Sequence, residues 1–525
     1  MCQVREGTEL EAKLDDAHGV NRQKHRPLIL VAVLLAMFMA AVESTIVATA
    51  MPTIVGELGG FELLSMVFAV YLLTQAITIP IYGKLADLYG RKKVFLIGVA
   101  IFLLGSLLSG LSPSMEALIV FRAFQGLGAG SVMPIATTIV GDIYTREERA
   151  RVQGLLSSVW GISAVVGPLL GSLIVEFGHW PWVFWINLPI GVASLVIIAL
   201  FLKEHLGSGR VSLDLLGSFW MLVAIVSFLL FIMFGGKAFP WLSWQSAFLL
   251  LVFALSLWLL IREEKRAEEP MMPLQLWGMR TIAIANVATL ITGSLLISLS
   301  TFLPTYMQGV MGTSARTAGY ALAVMSLGWP LASTVAGRVL LVLGSRRTSL
   351  IGSFFLLLGS IFFATLSPER PVLWAMSGSF LIGVGMGFTN TAYIVTIQNS
   401  VPWNVRGVAT SSNLFMRMLG GTIGASVLGA ILNNVLTQFF LNHGVTGMAL
   451  SENMQAINEL LNQVQGLPSS DASLRAPSVV DALLKQGLAT GMHSVFLSML
   501  VIALINMPLV YFLPREDHTM GRAHR

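Results

Sequence analysis

The sequence predicts an all-α polytopic membrane protein with fourteen transmembrane spans, two six-helix bundles separated by two inserted helices. Three observations carry that prediction. Only 11% of the 525 residues are charged and 55% are hydrophobic, with a mean hydropathy of +0.78, whereas a soluble chain carries about 25% charged residues. Apolar runs of about 20 residues, long enough to cross a bilayer as a helix, recur along the whole chain. The glycines and basic residues of the first half return at nearly constant spacing in the second.

Taken in order, residues 1–27 form a polar tail of mixed charge. The apolar run that follows is too long for a signal-peptide core and lacks a cleavage pattern, so the first helix is retained. Spans are read near 28–50, 62–82, 94–112, 115–138, 154–175, 183–202, 215–236, 244–261, 280–302, 317–337, 348–366, 372–395, 407–431 and 491–513. This gives an N-terminal bundle over 28–203, two inserted spans over 204–262, a connector over 263–279, a C-terminal bundle over 280–513 and a tail over 514–525. The connector sequence REEKRAEEPMMPLQLWGMR reads as a solvated charged face whose Met, Leu and Trp lie in the membrane interface. The long loop 432–490, which falls on the extracellular side, mixes apolar stretches with the turn-rich LPSSDASLRAPS, and is expected to form two short amphipathic helices or a hairpin, serving as a passive cap or as a gate over the outer vestibule.

Loop charge sets the orientation. Of the 32 Lys and Arg, 25 fall on the side shared by both termini, 5 on the other side, and 2, Arg122 and Arg417, inside spans. The positive-inside rule places both termini in the cytoplasm of a protein of the cytoplasmic membrane. The net charge of +5 is thereby explained without nucleic acid. The single cysteine, Cys2, excludes an intrachain disulfide or a cysteine-rich metal site.

The repeat is specific. GKLADLYGRKK, from Gly83, follows span 2, and GRVLLVLGSRR, from Gly337, follows span 10 at an offset of 254 residues. Gly126, Gly128 and Gly130 in span 4 return as Gly383, Gly385 and Gly387, and Arg151 returns as Arg406, at offsets of 257 and 255. Two parallel six-span halves with a binding site between them near the midplane are the layout of many secondary transporters.

Ionisable residues inside spans are costly and mark function. Of the 27 acidic residues, only Glu43, in MFMAAVESTIVATAMP, lies deep in a span. It sits about 10 Å from the outer end at 1.5 Å per residue, and Arg122, in FRAFQGLGAG of span 4, enters from the same side to about the same depth. A buried arginine needs a partner, which makes Glu43 a candidate. The pair reads either as a structural ion pair or as a protonation site tuned by arginine, because burial raises a carboxyl's proton affinity and a nearby cation lowers it.

Other stretches complete the set. In GKLADLYGRKK, Gly83 and Gly90 permit a tight turn, and Asp87 and Arg91 stand among cations. Span 5 carries G-x5-G-P-x2-G as Gly161, Gly167, Pro168 and Gly171; small residues let helices approach closely. HWPWVFWINLPIG (179–191), Asp214 with Gly217, PTYMQGVMG (304–312) and NLFMRMLGGTIG (413–424) follow, and span 1 shows Glu43, Thr45 and Pro52 in VESTIVATAMP.

Together these stretches resemble the major facilitator superfamily and, more narrowly, its fourteen-span drug:proton antiporters, the multidrug and quaternary-ammonium exporters. The resemblance covers essentially every span. It implies the major facilitator fold, and it implies that Gly83, Asp87, Gly90 and Arg91 form a cytoplasmic latch on the outward-open state. Arg122 looks like the group's membrane-embedded arginine, and the span 5 motif resembles that of antiporters rather than uptake symporters. Spans 1 and 4 are implied to touch, and the reading drawn from the buried charges makes Glu43 the protonation site, tuned by Arg122. Members of the group that export dications often carry a further acid in the second half. Here spans 9–14 have none, and Arg417 is cationic, which leaves room for monocationic, zwitterionic or neutral substrates.

Polar candidates for the substrate cavity are Gln75, Asn286, Gln308, Asn390, Asn413 and Arg417, each of them also readable as a helix-packing contact. The expected function is proton-coupled antiport of lipophilic or amphipathic drugs by alternating access. The expected protein is a monomer in the lipid bilayer whose ligands are protons and a small lipophilic substrate. An exporter of a dedicated lipid, siderophore or secondary metabolite is the second reading, and a membrane enzyme or receptor the third. The third has the least behind it, since no catalytic constellation, metal cluster or phosphate-binding loop is legible. No cofactor, metal or ATP is expected.

Overall fold

In the computed structural model, the residues described are 25–59, 63–177, 179–204, 214–235, 239–267, 274–443 and 478–514. They are helical almost throughout, and each of the fourteen predicted spans falls on a helix. These are α1 (Arg26–Leu58), α2 (Leu64–Tyr89), α3 (Arg91–Gly110), α4 (Met115–Ile143), α5 (Arg146–Phe177) and, after the single turn Trp182–Trp185, α6 (Asn187–Phe201). There follow α7 (Leu215–Phe234), α8 (Trp244–Glu264), the short connector helix Leu274–Gly278 and α9 (Arg280–Gly309). The stretch Ala315–Ala364 holds two helices, α10 (315–343) and α11 (345–364), which meet at Gly344. The chain continues as α12 (Val372–Ser400), α13 (Arg406–Asn442) and α14 (Ser478–Tyr511). Among the described residues, 11 helices are long and apolar enough to cross a membrane. One of these holds both α10 and α11, and α7 is a shorter apolar helix.

Local chemistry sets several helix starts. Ser114 accepts the Ala117 N–H at 3.3 Å to cap α4. Before α5, the Glu148 carboxylate accepts the Thr145 N–H at 2.9 Å while Thr145 Oγ1 accepts the Glu148 N–H at 3.4 Å, a reciprocal capping box. Asp214 Oδ1 accepts the Gly217 N–H at 2.7 Å, and a Cβ at 217 would lie 2.1 Å from Asp214 Oδ2. The Asp214 and Gly217 signature is thus the helix start of α7. Helices α13 and α14 run further than the hydropathy reading places them. Asn433, Asn434 and Gln438 interrupt the apolar run of α13, but no glycine or proline stops the backbone before Asn442. Most of the predicted outer loop, at 444–477, lies outside the described residues, as do Cys2, the rest of the polar tail up to residue 24, and connector residues 268–273.

The internal repeat is written in the backbone. Gly90, between α2 and α3, has φ +94°, and Gly344, 254 residues on between α10 and α11, has φ +77°. Side chains rarely adopt such conformations. The glycines of span 4 repeat their contacts as well as their spacing. A Cβ on Gly126 or Gly130 would strike the α2 carbonyls of Tyr71 and Gln75, at 2.5 and 2.7 Å, and one on Gly128 would strike the α3 backbone at Gly98 and Phe102. In the second half a Cβ on Gly383 or Gly387 would strike the α10 carbonyls of Met325 and Trp329, at 2.2 and 2.5 Å, and one on Gly385 would strike α11 at Gly352. Tyr71, Gln75 and Gly98 each recur 254 residues later as Met325, Trp329 and Gly352. In lipid, where apolar burial does not drive helices together, this close backbone approach supplies the packing energy.

The chain divides into two compact units. One contains Met1–Val226, Ala254–Ile282 and Ile394–Phe415, and the other Ser227–Phe253, Ala283–Tyr393 and Met416–Arg525. The first unit packs Val33 and Met39 of α1 with Phe95 and Phe102 of α3, Val132 and Ile139 of α4, and Ile198 of α6. Its other apolar cluster joins Ile46 and Met51 of α1 to Leu118 of α4 and to Phe184. The second unit packs Leu303 and Met307 of α9 with Phe363 of α11, Phe440 of α13 and Phe496 of α14.

Candidate functional site

Glu43 is fully buried and Arg122 is 1% exposed. Arg122 Nη1 pairs with Glu43 Oε1 and also donates to Gln125 Oε1 at 2.6 Å. The second carboxylate oxygen of Glu43 accepts from Asn187 Nδ2, and Asn187 in turn donates to Ser106 Oγ at 3.0 Å, whose hydroxyl donates to the Phe184 carbonyl at 2.8 Å. The guanidinium lies over the Tyr71 ring at 4.0 Å and 5.8 Å from the Phe184 ring, where the negative ring faces attract it. Residues from α1, α2, α3, α4 and the start of α6 therefore converge on one carboxylate. A proton arriving at Glu43 would remove the negative charge that both the guanidinium and the amide hold.

The glycine motif of α5 packs beside this carboxylate. A Cβ on Gly167 would lie 1.9 Å from Thr45 Oγ1, and one on Gly171 would lie 3.0 Å from Thr49 Cβ. Thr45 Oγ1 contacts the Val42 carbonyl at 2.9 Å and the Ser163 carbonyl of α5 at 3.3 Å. The motif thus holds the turns of α1 that follow Glu43. Gly161 is half-buried in the same helix, and Pro168 lies in its backbone run, its side chain outside the described ones.

A second charge cluster, also within the first unit, lies at the ends of α2 and α4 and the starts of α3 and α13. Asp87 pairs with Arg91 at 2.7 Å, and its two oxygens accept the N–H groups of Gly407 and Val408 at 2.9 and 2.8 Å. A carboxylate here meets the free donors and positive dipole end of α13. Arg91 Nε pairs with Asp142 at 2.9 Å, and Asp142 pairs with Arg406 at 2.7 Å. Arg91 also donates to the Trp403 carbonyl at 2.6 Å and lies 3.8 Å over its ring. Gly83 and Gly407 make the approach possible: a Cβ on Gly83 would lie 2.0 Å from Ser411 Oγ, and one on Gly407 2.6 Å from Asp87 Oδ1. Glu204 accepts the N–H groups of Arg91 and Lys92 at 2.8 and 3.0 Å, capping α3 where Gly90 lets the chain turn.

The cavity candidates are divided between the units. Gln75, half-buried on α2, and Asn413, buried on α13, belong to the first. Asn286, buried on α9, Gln308, half-buried near its end, Asn390 on α12 and Arg417 on α13 belong to the second. The structure joins Arg417 and Asn390, the guanidinium donating to the amide oxygen.

Sequence reasoning paired Glu43 with Arg122 by depth but missed Asn187, Ser106 and Tyr71. Asn187 had a signal, a lone amide in the apolar run WVFWINLPIG, where a buried polar group needs a partner. Asp142, Trp403, Arg406 and Glu204 were missed in the charge cluster; Asp142 and Arg406 stood at span ends, where charge is ordinary.

The family model of the Major Facilitator Superfamily matches residues 33–215 and 208–425, and the chain belongs to this superfamily of membrane transporters. The chain is 34% identical over 506 residues to the multidrug transporter protein MdtP of Bacillus subtilis, covering 94% of both chains. It is 36% identical to multidrug resistance protein 3 of the same organism over 81% of this chain and 83% of the relative. The human organic anion transporter MFSD10 (TETRAN) matches with a TM-score of 0.58 and 13% identity, over 92% of this chain and 100% of that one; this likeness concerns the fold alone. The protein is a multi-pass membrane transporter of the efflux type.

Proposed function

We propose that the protein exports lipophilic or amphipathic compounds in exchange for protons, with Glu43 as the protonation site and Arg122 as the group that tunes it. The observation that carries this reading is the buried Glu43–Arg122 pair set against the internal repeat. The glycines of α4 and α12 pack alike, yet the position 257 residues after Arg122 is Ser379. Helix packing of this type is therefore achieved without an arginine, so packing does not account for a buried ion pair. Such a pair costs desolvation that its attraction only partly offsets.

In this reading Glu43 exchanges Arg122 and Asn187 for a proton as the site alternates between the two sides of the membrane. Competition between proton and substrate is then sufficient for exchange. Asp87, Arg91, Asp142 and Arg406 serve as the cytoplasmic latch, and charge on the loops supports cytoplasmic termini in the cytoplasmic membrane. The protein works as a monomer, with protons and a lipophilic compound as its ligands.

The test is transport in proteoliposomes under an imposed pH gradient, with a lipophilic cation and a neutral lipophilic compound offered in parallel. The gradient is expected to drive accumulation of at least one of them, and Glu43→Gln to abolish that dependence while leaving the protein folded. Gradient-driven transport by Glu43→Gln at the normal rate would remove Glu43 from the mechanism, and indifference to the gradient with both compounds would remove proton coupling.

A further inference from the structure

The two arginines inside the membrane are provided for differently. Arg122 is 1% exposed and has a carboxylate, an amide oxygen and two aromatic faces around it. Arg417 lies about 16 Å along α13 from Arg406, at 1.5 Å per residue, and is partly exposed. Its guanidinium donates to one acceptor among the described residues, the neutral side-chain oxygen of Asn390. No carboxylate of the described residues is within ion-pair distance of it. A guanidinium carries five N–H donors in a fork that matches a carboxylate.

The position is held from behind. A Cβ on Gly293 of α9 would lie 2.2 Å from the Arg417 carbonyl oxygen. One turn on, a Cβ on Gly420 would lie 1.9 Å from the Leu290 carbonyl, and after another a Cβ on Gly424 would lie 2.2 Å from Ser294 Oγ. The backbone face of NLFMRMLGGTIG is thus pressed against α9, and the Arg417 side chain leaves toward α12, where Asn390 receives it. A cation in the low-dielectric interior is costly while it lacks a negative partner, and a ligand that brings one offsets part of that cost.

We propose that Arg417, oriented by Asn390, is a substrate subsite for a carboxylate or comparably anionic oxygen. The exported compounds then include amphipathic acids and zwitterions rather than lipophilic cations alone. This rests on the reading of the chain as an exporter of lipophilic compounds, but it does not depend on proton coupling, so it is tested by equilibrium binding with no gradient present.

The probes are a rhodamine bearing a free benzoic acid and its methyl ester, which share one fluorophore. Binding to the purified full-length protein is read by fluorescence anisotropy. The wild-type protein is expected to bind the acid at least about tenfold more tightly than the ester, the scale of a charge-assisted hydrogen bond. Arg417→Gln is expected to lose that preference. Asn390→Asp, which supplies Arg417 with a carboxylate of its own at nearly constant shape, is expected to weaken the acid and spare or favour the ester. Arg417→Lys, which keeps the charge, should retain part of the preference. A wild-type protein with no preference for the acid, or an Asn390→Asp protein that is monodisperse and keeps the full preference, would overturn the proposal.

Discussion

Glu43 has both carboxylate oxygens occupied, one by Arg122 and the other by Asn187, so the charges of this pair are compensated only while both members are present. Arg122→Ala would leave a fully buried carboxylate without its cation, a loss of about 3–5 kcal/mol for breaking a buried pair from one side. The double variant Glu43→Gln with Arg122→Gln removes both charges and is expected to regain much of the lost stability while remaining uncoupled. Thermal unfolding in detergent checks the first statement, and gradient-driven transport the second. Equal destabilisation in the single and double variants would mean that shape, and not charge compensation, holds the site. Glu43 was legible in the sequence as the only deep acid. Asn187 stood out only as a lone amide in an apolar run, and its partner was not legible, because an amide acquires a role only from what it faces.

At the scale of the element, the breaks between α2 and α3 and between α10 and α11 are placed by backbone conformations that only glycine adopts comfortably. Gly90 has φ +94° and ψ +145°, and the next residue, Arg91, begins α3 while reaching back to Asp87. Gly90→Ala is expected to cost about 1–3 kcal/mol, the range for a strained backbone position, and to loosen the charge cluster that the turn aims. A lowered midpoint in thermal unfolding together with slower transport checks this. Unchanged stability would show that the turn relaxes without cost. The sequence marked both Gly90 and its repeat Gly344 by spacing. The hydropathy reading of the spans stops short of the last turns of α13 and the first turns of α14, because it reads where lipid-compatible side chains stop and not where backbone hydrogen bonding stops.

At the scale of the molecule, the duplicated halves share glycine contacts but not chemistry. One half has the Glu43–Arg122 pair, with Ser379 at the equivalent of the arginine, and Arg417 stands with an amide in the second unit. The charge cluster also joins segments distant in sequence, since Asp87 accepts from Gly407 and Val408 across 320 and 321 residues. Packing groups the start of α13, with the end of α12, into the first unit. If the cluster is a latch, Asp87→Asn should weaken its hold on the start of α13. With Cys2 replaced by serine and a cysteine placed at Ser411, which packs against Gly83, labelling by a water-soluble maleimide is expected to rise several-fold in the Asp87→Asn background. No change in labelling would reduce the cluster to a static contact.

The sequence by itself determined the class, the helices, the repeat and the identity of the deep charges. Each of these follows from local properties: length and hydropathy of a run, the backbone range of glycine, and the cost of an ionised group in lipid. It also marked depth, because rise per residue turns position in a span into distance. The tertiary structure decided which faces meet. It set Asn187 on the second oxygen of Glu43, Tyr71 under Arg122, Glu204 on the start of α3 and the N-terminus of α13 on Asp87. It also gave Arg417 a neutral partner where Arg122 has a carboxylate. Helix rotation and side-chain direction arise from packing between segments, and spacing along one chain does not encode them.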